Sequence, residues 1–256
     1  MDETPVQYCR PSLAVLAVRG PDARRFLQGQ LSADVIGLPP AELRWAGLHN
    51  PQGRALATLQ LLADGDDVLA LLPPERLVAV LPLLRRYLLR AKARIEDETG
   101  HWRVLGVFAS AGDAATRLAD AASPGRTLIA AADAASGRCV VLQSASGHAE
   151  VGAEPSLRWK RADIAAGLPQ VYDGTAGSFI AQMLNLDLIG GVAFDKGCYT
   201  GQEVIARAHY RGRVKRRMQR FGSRETRAAD WPPGAVGQLP DGRRFEVVDS
   251  VDLDGG

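Results

Sequence analysis

The chain has 256 residues, of which 46% are apolar and 23% are charged, and its formal net charge is +2. This composition is typical of a folded globular protein and excludes a largely disordered or low-complexity chain. Apolar runs are interrupted by proline or arginine well before the ~20 residues that a membrane-spanning helix requires. The N-terminus lacks the basic and apolar regions of a signal peptide. We therefore expect a cytoplasmic protein with no membrane contact.

The three cysteines, Cys9, Cys139 and Cys198, are far apart in the sequence. Isolated cysteines in an odd number fit neither a disulfide framework nor a paired-cysteine metal site. A conventional iron–sulfur cluster needs about four thiolates, so this chain alone cannot hold one. With only four histidines and no metal-ligand spacing among them, the sequence predicts no metal site.

Strand and helix patterns alternate in the first part of the chain. Residues 11–20 predict a strand, and a helix should begin at Asp22. The Asn-Pro-Gln-Gly sequence at 50–53 predicts a turn, and residues 58–72 predict a hairpin with Asp64-Gly65-Asp66 at its tip. Residues 75–90 have helical spacing that Pro82 should kink or divide, and 91–97 predict a strand. This order favours a ferredoxin-like α+β unit.

A second series of elements follows. We expect a strand at 102–110, a helix at 113–122 and a strand at 138–143, with Ala/Gly/Ser-rich surface connections at 109–123 and 130–138. A short helix within 161–175 should lead into a loop, and the apolar stretch 179–191 has the character of a helix ending at Gly190. From residue 218 onward, short strand patterns predict the start of a small β module. The predicted domains are therefore 1–217 and 218–256.

The sequence KGCYTGQE, residues 196–203, contains the pattern of a helix start. Thr200 and Glu203 have the spacing of a capping box, in which each side chain satisfies the other residue's backbone N–H. The helix should continue to near Gly212, which would put Cys198 just outside its positive end. Helix N-termini and nearby cations favour the thiolate, the reactive form of cysteine. On the spacing alone, a structural role for Cys198 as a small buried residue is favoured over a reactive one.

A basic segment follows the motif. Residues 207–220 contain seven arginines and lysines and no acidic residue. The segment is compatible with a solvated surface, with binding of the polyanionic tail of a reduced folate, or with binding of transfer RNA. Direct RNA binding ranks lowest, because the segment has no RNA-binding motif and little aromatic interleaving beyond Tyr210.

Residues 159–218 resemble the YgfZ-type folate-binding proteins, above all in KGCYTGQEVIAR and the following Arg-Gly. That family is related to the glycine-cleavage T-protein and acts in iron–sulfur cluster assembly or repair and in tRNA modification. Weaker agreement at 25–35, 50–57 and 86–97 extends the resemblance over nearly the whole chain to about residue 220. The resemblance implies an α+β, aminomethyltransferase-like folate-binding domain followed by a short, incomplete β-barrel module.

The same resemblance implies the functional residues and their ligand, tetrahydrofolate or a one-carbon derivative of it. Cys198 would supply a reactive thiol, Lys196 and Arg207 would stabilise anionic species, and Glu203 would fix the helix start. Trp159, whose flat ring could stack on the pterin, heads the implied cofactor-binding set. That set comprises Trp159, Gln182, Asn185, Tyr199 and Gln202.

The chain departs from its relatives at three places. Leu13 stands where some members have a second folate-contacting tryptophan. T-proteins carry a catalytic aspartate soon after the glycine that corresponds to Gly53, whereas Gly53-Arg54-Ala55-Leu56-Ala57 contains no acid. T-proteins also hold the pterin with a carboxylate where this chain has Ala165. Acid–base chemistry requires a titratable group within hydrogen-bond reach, so these departures disfavour aminomethyl transfer as the T-protein performs it.

The sequence therefore predicts a tetrahydrofolate-binding accessory protein of iron–sulfur enzyme maturation. Its partners would be folate and iron–sulfur client or assembly proteins, including tRNA-modifying enzymes. The alternative is a folate-dependent aminomethyl- or methyltransferase, which tetrahydrofolate-dependent turnover would reveal.

Overall fold

The computed structural model describes residues 8–109, 113, 126–133, 137–144, 157–212, 214–223 and 225–252. These residues form antiparallel sheets and separate helices, which confirms the predicted α+β class. The strands are β1 (Tyr8–Cys9), β2 (Ala14–Arg19), β3 (Arg44–His49), β4 (Ala55–Asp64), β5 (Asp67–Leu72), β6 (Arg94–Asp97), β7 (Trp102–Val107), β8 (Thr127–Asp133), β9 (Arg138–Ser144), β10 (Val236–Gln238) and β11 (Arg244–Glu246). The α-helices in the described residues are α1 (Ala23–Gln28), α2 (Pro74–Tyr87), α3 (Leu157–Ala166) and α4 (Gln202–Tyr210).

A five-stranded antiparallel sheet with the order β3-β4-β5-β2-β6 forms the first layer. Strands β6-β2-β5-β4 have the strand order of a ferredoxin-like unit, with α1 and α2 as its helices and β3 as an additional edge strand. Helix α2 runs through Pro82 undivided, so of the two expected effects of this proline, division does not occur. Proline has no N–H, so the carbonyl of Val78, four residues earlier, lacks its helical donor. Val78 is exposed, so water can hydrate that carbonyl.

A second sheet has the order β1-β7-β9-β8. Strands β7 and β9 lie where apolar patterns predicted them. Strand β8 corrects the expectation that residues from 130 onward form a surface connection, because the alanines of its second half pair with β9. The helix predicted at 113–122 lies outside the described residues except for residue 113.

The two sheets enclose separate apolar layers. Alternate residues of β4 and β2, such as Leu59 and Leu16, pack beneath α1 and α2 on one face of the first sheet. The opposite face, represented by Val15 and Leu62, packs against the second sheet together with Trp102 and Trp159. Alternation of side chains along each strand thus assigns every second residue to the space between the sheets. Trp159, one of the candidate site residues, lies in this space.

The remainder of the described chain is mostly irregular. The stretch 179–191 is not an α-helix, since only the 3₁₀ turn Ala181–Leu184 forms before Asn185 adopts a left-handed conformation with φ 56°. Residues 218–223 form no strand, and β10 and β11 pair as an isolated two-stranded sheet. The described residues thus contain no closed barrel, and the predicted boundary at 217/218 stays a prediction. No helix in the described part of the chain combines the length and apolar character needed to cross a membrane.

Candidate functional site

Two glycines hold the KGCYTGQE motif against the turn between β3 and β4. Gly201 has φ +82°, and a Cβ there would lie 2.6 Å from the carbonyl oxygen of Asn50 and 2.9 Å from Cα of Gly53. Gly53 has φ +71°, and a Cβ there would lie 2.9 Å from the Cβ of Val204 on α4. Only glycine combines this backbone conformation with so close an approach. The start of α4 is therefore positioned by direct backbone contact with the Asn50–Gly53 turn.

The predicted capping box is wrong. Gly201 is the N-cap of α4, and no side-chain cap hydrogen bond is present. The carboxylate of Glu203 instead accepts a hydrogen bond from Arg207 at 2.8 Å, one helical turn later. Both side chains are largely exposed, so this ion pair contributes little to stability. Glu203 therefore does not fix the helix start, because the glycine contact described above does so.

Lys196 reaches from the motif into the first layer. Its Nζ donates to the carbonyl oxygens of Leu31 and Ala33 at 2.7 and 2.6 Å. Burial lowers the pKa of Lys196 to about 8, and the charge of Asp34 opposes that shift. The ammonium also lies 5.2 Å from the ring centroid of Tyr199. Lys196 thus ties the motif to the segment that follows α1.

Cys198 differs from the other two cysteines in its surroundings. Its side chain is exposed, whereas Cys9 and Cys139 are buried. Burial raises the pKa values of Cys9 and Cys139 to about 11, so these two thiols remain protonated at neutral pH. The interpretation of Cys198 as a small buried residue is therefore wrong. An exposed thiol is open to electrophiles and metal centres.

Three of the other predicted cofactor-binding residues lie in or near the core beneath the motif. Gln182 is fully buried, and its Nε2 donates to the carbonyl of Ile205 at 2.7 Å while its Oε1 has no partner. Asn185 donates to the carbonyl of Met218 at 3.0 Å. Gln202 is half-buried at the first position of α4. The amides of Gln182 and Asn185 therefore already hold neighbouring backbone in place.

Trp159 lies apart from this group, in the layer between the two sheets. The guanidinium of Arg138 lies over its ring at 4.7 Å, and Phe108 meets it edge-on at 5.8 Å. Arg138 also forms an ion pair of 3.0 Å with Asp163, one turn after Trp159 on α3, and both side chains of the pair are buried. The indole Nε1 of Trp159 is buried without a hydrogen-bond partner. Trp159 thus presents an unsatisfied N–H, while one face of its ring is occupied by a cation.

A row of polar side chains on the first sheet was not identified from the sequence. Trp45 pairs with Gln60, and Gly47 pairs with Thr58, so these side chains share the sheet face that also carries Leu62. We call Trp45, His49, Thr58 and Gln60 the polar face. The Nε1 of Trp45, the Nε2 of Gln60 and both ring nitrogens of His49 are buried without hydrogen-bond partners. Buried polar atoms are nearly always paired in proteins, so such a group indicates a ligand or bound water.

His49 connects the polar face with the motif. Its imidazole lies against Gly47, where a Cβ would be only 2.2 Å from the ring, and its centroid is 6.4 Å from that of Tyr199. Burial lowers the pKa of His49 to about 4, with the backbone of Gly47 opposing the shift, so the imidazole is neutral at pH 7. Burial raises the pKa of Tyr199 to about 12. Neutral donors and acceptors thus extend from Trp45 to the KGCYTGQE motif.

The structure shows where the three sites lie at which this chain departs from its relatives. Leu13 is half-buried against the layer that contains Trp159. Ala57 is buried beneath the helices, and Ala165 is exposed, with its carbonyl accepting a hydrogen bond from Arg220 at 3.2 Å. In the part of the chain that the structure describes, no three His, Cys, Asp or Glu side chains are grouped as metal ligands.

Known proteins resemble the chain over most of its length. It is 34% identical over 243 residues to the tRNA-modifying protein YgfZ of Edwardsiella ictaluri (strain 93-146), covering 87% of this chain and 69% of that protein. It is 31% identical over 265 residues to the protein of the same name from Klebsiella pneumoniae (strain 342), covering 95% of this chain and 80% of that protein. No protein-family model matches the chain.

The fold is that of an aminomethyltransferase. The crystal structure of glycine cleavage system aminomethyltransferase T from Bartonella henselae superposes with a TM-score of 0.60 at 16% sequence identity. The superposition covers 80% of this chain and 63% of that one, so the present chain spans less than two thirds of the structure it matches.

Proposed function

The chain belongs to the family of tRNA-modifying proteins named YgfZ, and from that premise we propose that it binds tetrahydrofolate or a one-carbon derivative between its two sheets. In this proposal the protein acts as an accessory factor in the assembly or repair of iron–sulfur enzymes, including those that modify tRNA. The folate is the resident ligand, and an iron–sulfur cluster or sulfur species is the cargo. The aminomethyltransferase fold supports the proposal of a folate pocket in this chain.

The observation that carries the proposal is the set of unpaired buried groups on the polar face and on Trp159. A pterin is a flat ring with hydrogen-bond donors and acceptors along its edges, and it needs partners of both kinds. Trp45, Gln60 and Trp159 offer N–H donors, and neutral His49 offers one donor and one acceptor. An unpaired buried donor costs about 1–3 kcal/mol, so a ligand that satisfies several of them would be bound favourably.

The structure changes how Trp159 would take part. The sequence suggested stacking on its flat face, but the guanidinium of Arg138 lies over that ring. We therefore assign its contribution to the Nε1–H edge. Tyr199 would act at the other end of the polar face, where His49 approaches it, and Gln182 would offer its unpaired Oε1 as an acceptor. Asn185 would support the pocket by holding the backbone at Met218, and Gln202 would support it from the first position of α4.

Cys198 would supply the thiol chemistry at the surface. A single exposed thiolate can act as one ligand to an iron–sulfur cluster whose other ligands belong to a client protein. Arg207, on the exposed side of α4, would attract the anionic cargo. Lys196 would orient the loop through its two carbonyl contacts. Aminomethyl transfer is not part of the proposal, because residues 53–57 contain no acid.

Two measurements test the proposal. Calorimetric titration with tetrahydrofolate should show saturable binding, and Trp159→Phe should weaken it about 3- to 10-fold because one hydrogen bond is lost. The matched control is Trp102→Phe, since that indole donates to Glu98 at 2.8 Å and is already satisfied. Absence of binding by the wild type, or equal weakening by both variants, would overturn the folate assignment.

The thiol assignment has a separate test. Mass spectrometry after brief iodoacetamide treatment at pH 8 should show alkylation of Cys198 with Cys9 and Cys139 unmodified. Equal, slow labelling of all three cysteines would refute a reactive role for Cys198.

A further inference from the structure

Three aromatic side chains cluster at the C-terminal end of α4, where Phe194 is half-buried against the core and the other two are exposed. The ring of Phe194 stacks on His209 with centroids 3.8 Å apart and an interplanar angle of 18°. Tyr210 meets both rings edge-on, at 4.7 Å from His209 and 6.0 Å from Phe194. Tyr210 is 68% exposed, and His209 is also exposed. We call Phe194, His209 and Tyr210 the aromatic patch. Clustered exposed aromatic rings are characteristic of interaction surfaces.

Positive charge predominates along α4 and the residues that follow it, while the exposed Asp195 lies next to Phe194 in the sequence. From Val204 to Ser223 the sequence contains no aspartate or glutamate. Arg207 and Arg217 are paired with Glu203 and Asp187, which come from outside that stretch. The side chains of Arg211, Lys215 and Arg216 are exposed and have no carboxylate partner among the described residues. These three cations are therefore available to an anionic ligand.

A groove of about 250 Å³ lies along another side of α4. Ala208 and Gly212 form part of its wall. Because Ala208 lies two residues before Tyr210 on the helix, the groove and the Tyr210 ring face different sides of α4. Lys215 and Arg216 line it as well, together with the apolar side chains of Met183 and Val214. An extended ligand that contacts Tyr210 would therefore pass around the end of α4, about 10 Å across, to reach these two cations.

We propose that the aromatic patch and this groove bind single-stranded nucleic acid. Unpaired bases stack on aromatic rings, and phosphates are neutralised by arginine and lysine, which together give affinity without sequence reading. Tyr210 would be the stacking platform, held in place by the stacked pair of Phe194 and His209. An acidic peptide would use the cations but leave the rings without a flat partner. The proposal goes beyond folate binding and uses neither Trp159 nor Cys198, so it stands or fails independently.

Fluorescence anisotropy with labelled oligonucleotides tests this surface in the full chain. An unstructured RNA should bind more tightly than an abasic strand of the same length, since the abasic strand has phosphates but no bases. Tyr210→Leu keeps an apolar side chain but removes the ring, and it should weaken RNA binding about 5- to 100-fold. The control is Tyr87→Leu, which removes another exposed tyrosine, at the end of α2, and should leave affinity unchanged.

The electrostatic half of the proposal has its own readout. The double variant Arg211→Gln and Lys215→Gln should reduce the slope of log affinity against log salt by about 1.4, or roughly 0.7 for each lost phosphate contact. Tighter binding of RNA than of DNA of the same sequence would identify RNA as the ligand. Equal binding would show that the surface accepts single strands of both RNA and DNA.

Four results would overturn the proposal. These are no binding by the wild type at low salt, equal affinity for the abasic strand, a preference for duplex RNA, or an unchanged affinity in Tyr210→Leu. If the wild type did not bind nucleic acid, the aromatic patch would instead be assigned to contact with a protein partner. Weaker folate binding by Trp159→Phe together with unchanged RNA binding would show that the two proposals concern separate sites.

Discussion

Replacing Gly201 with alanine should destabilise the protein by separating the KGCYTGQE motif from the turn between β3 and β4. Gly201 has φ +82°, a conformation that costs an L-residue about 1–2 kcal/mol. The new methyl group would lie 2.6 Å from the Asn50 carbonyl oxygen and 2.9 Å from Cα of Gly53, and both are backbone atoms. Overpacking of this kind costs about 1–3 kcal/mol more. The expected loss is therefore about 2–5 kcal/mol of the free energy of unfolding.

Urea unfolding followed by circular dichroism measures this loss, provided that the denaturant dependence is unchanged between variants. Gly197→Ala is the matched control in the same motif, since no atom lies within 4 Å of the Cβ position and the backbone is not in the left-handed region. It should change stability by less than about 1 kcal/mol. If Gly201→Ala were as stable as Gly197→Ala, the glycine contact would not be what positions α4.

Two buried titratable groups make stability rise with pH in two separate pH windows. Burial lowers the pKa of His49 to about 4 from an ordinary 6.5, so the unfolded chain binds this proton first as the pH falls. Stability should therefore decrease between pH 6.5 and 4 by up to about 3 kcal/mol more in the wild type than in His49→Gln; equal acid sensitivity would contradict this. Burial lowers the pKa of Lys196 to about 8 from 10.5, so the cost of burying its charge is present below pH 8 and disappears as the pH rises toward 10.5. Relative to Lys196→Met, the wild type should gain stability across that range, and a pH-independent difference would refute the assignment.

Elements with strong local patterns were predictable from the sequence. The β4–β5 hairpin follows from its two apolar runs and the Gly65 turn between them, and α2 follows from helical spacing. Strand β8 was missed because its alanines resemble a surface connection, and only pairing with β9 buries them. The stretch 179–191 has helical spacing, yet Asn185 turns the chain through a contact with Met218, 33 residues away.

The candidate site was predictable only in part, for the same physical reason. KGCYTGQE is contiguous, so its cysteine and its helix start could be located directly. The polar face combines Trp45 and His49 with Gln60 from the neighbouring strand, and their common orientation depends on strand register. The aromatic patch likewise joins Phe194 to Tyr210, which lies 16 residues later. Long-range contacts of this kind leave no local signal in one sequence.

Indole N–H resonances recorded during a tetrahydrofolate titration test folate binding on the polar face most directly. The chain has four tryptophans, so single Trp→Phe variants assign each resonance in a ¹⁵N-correlated spectrum. The signals of Trp45 and Trp159 should shift with saturation, because their N–H groups are unpaired before binding. Trp102, already bonded to Glu98, and Trp231, which packs on Phe245 of the β10–β11 sheet, should not move. A titration that leaves Trp45 and Trp159 unchanged would contradict folate binding between the two sheets.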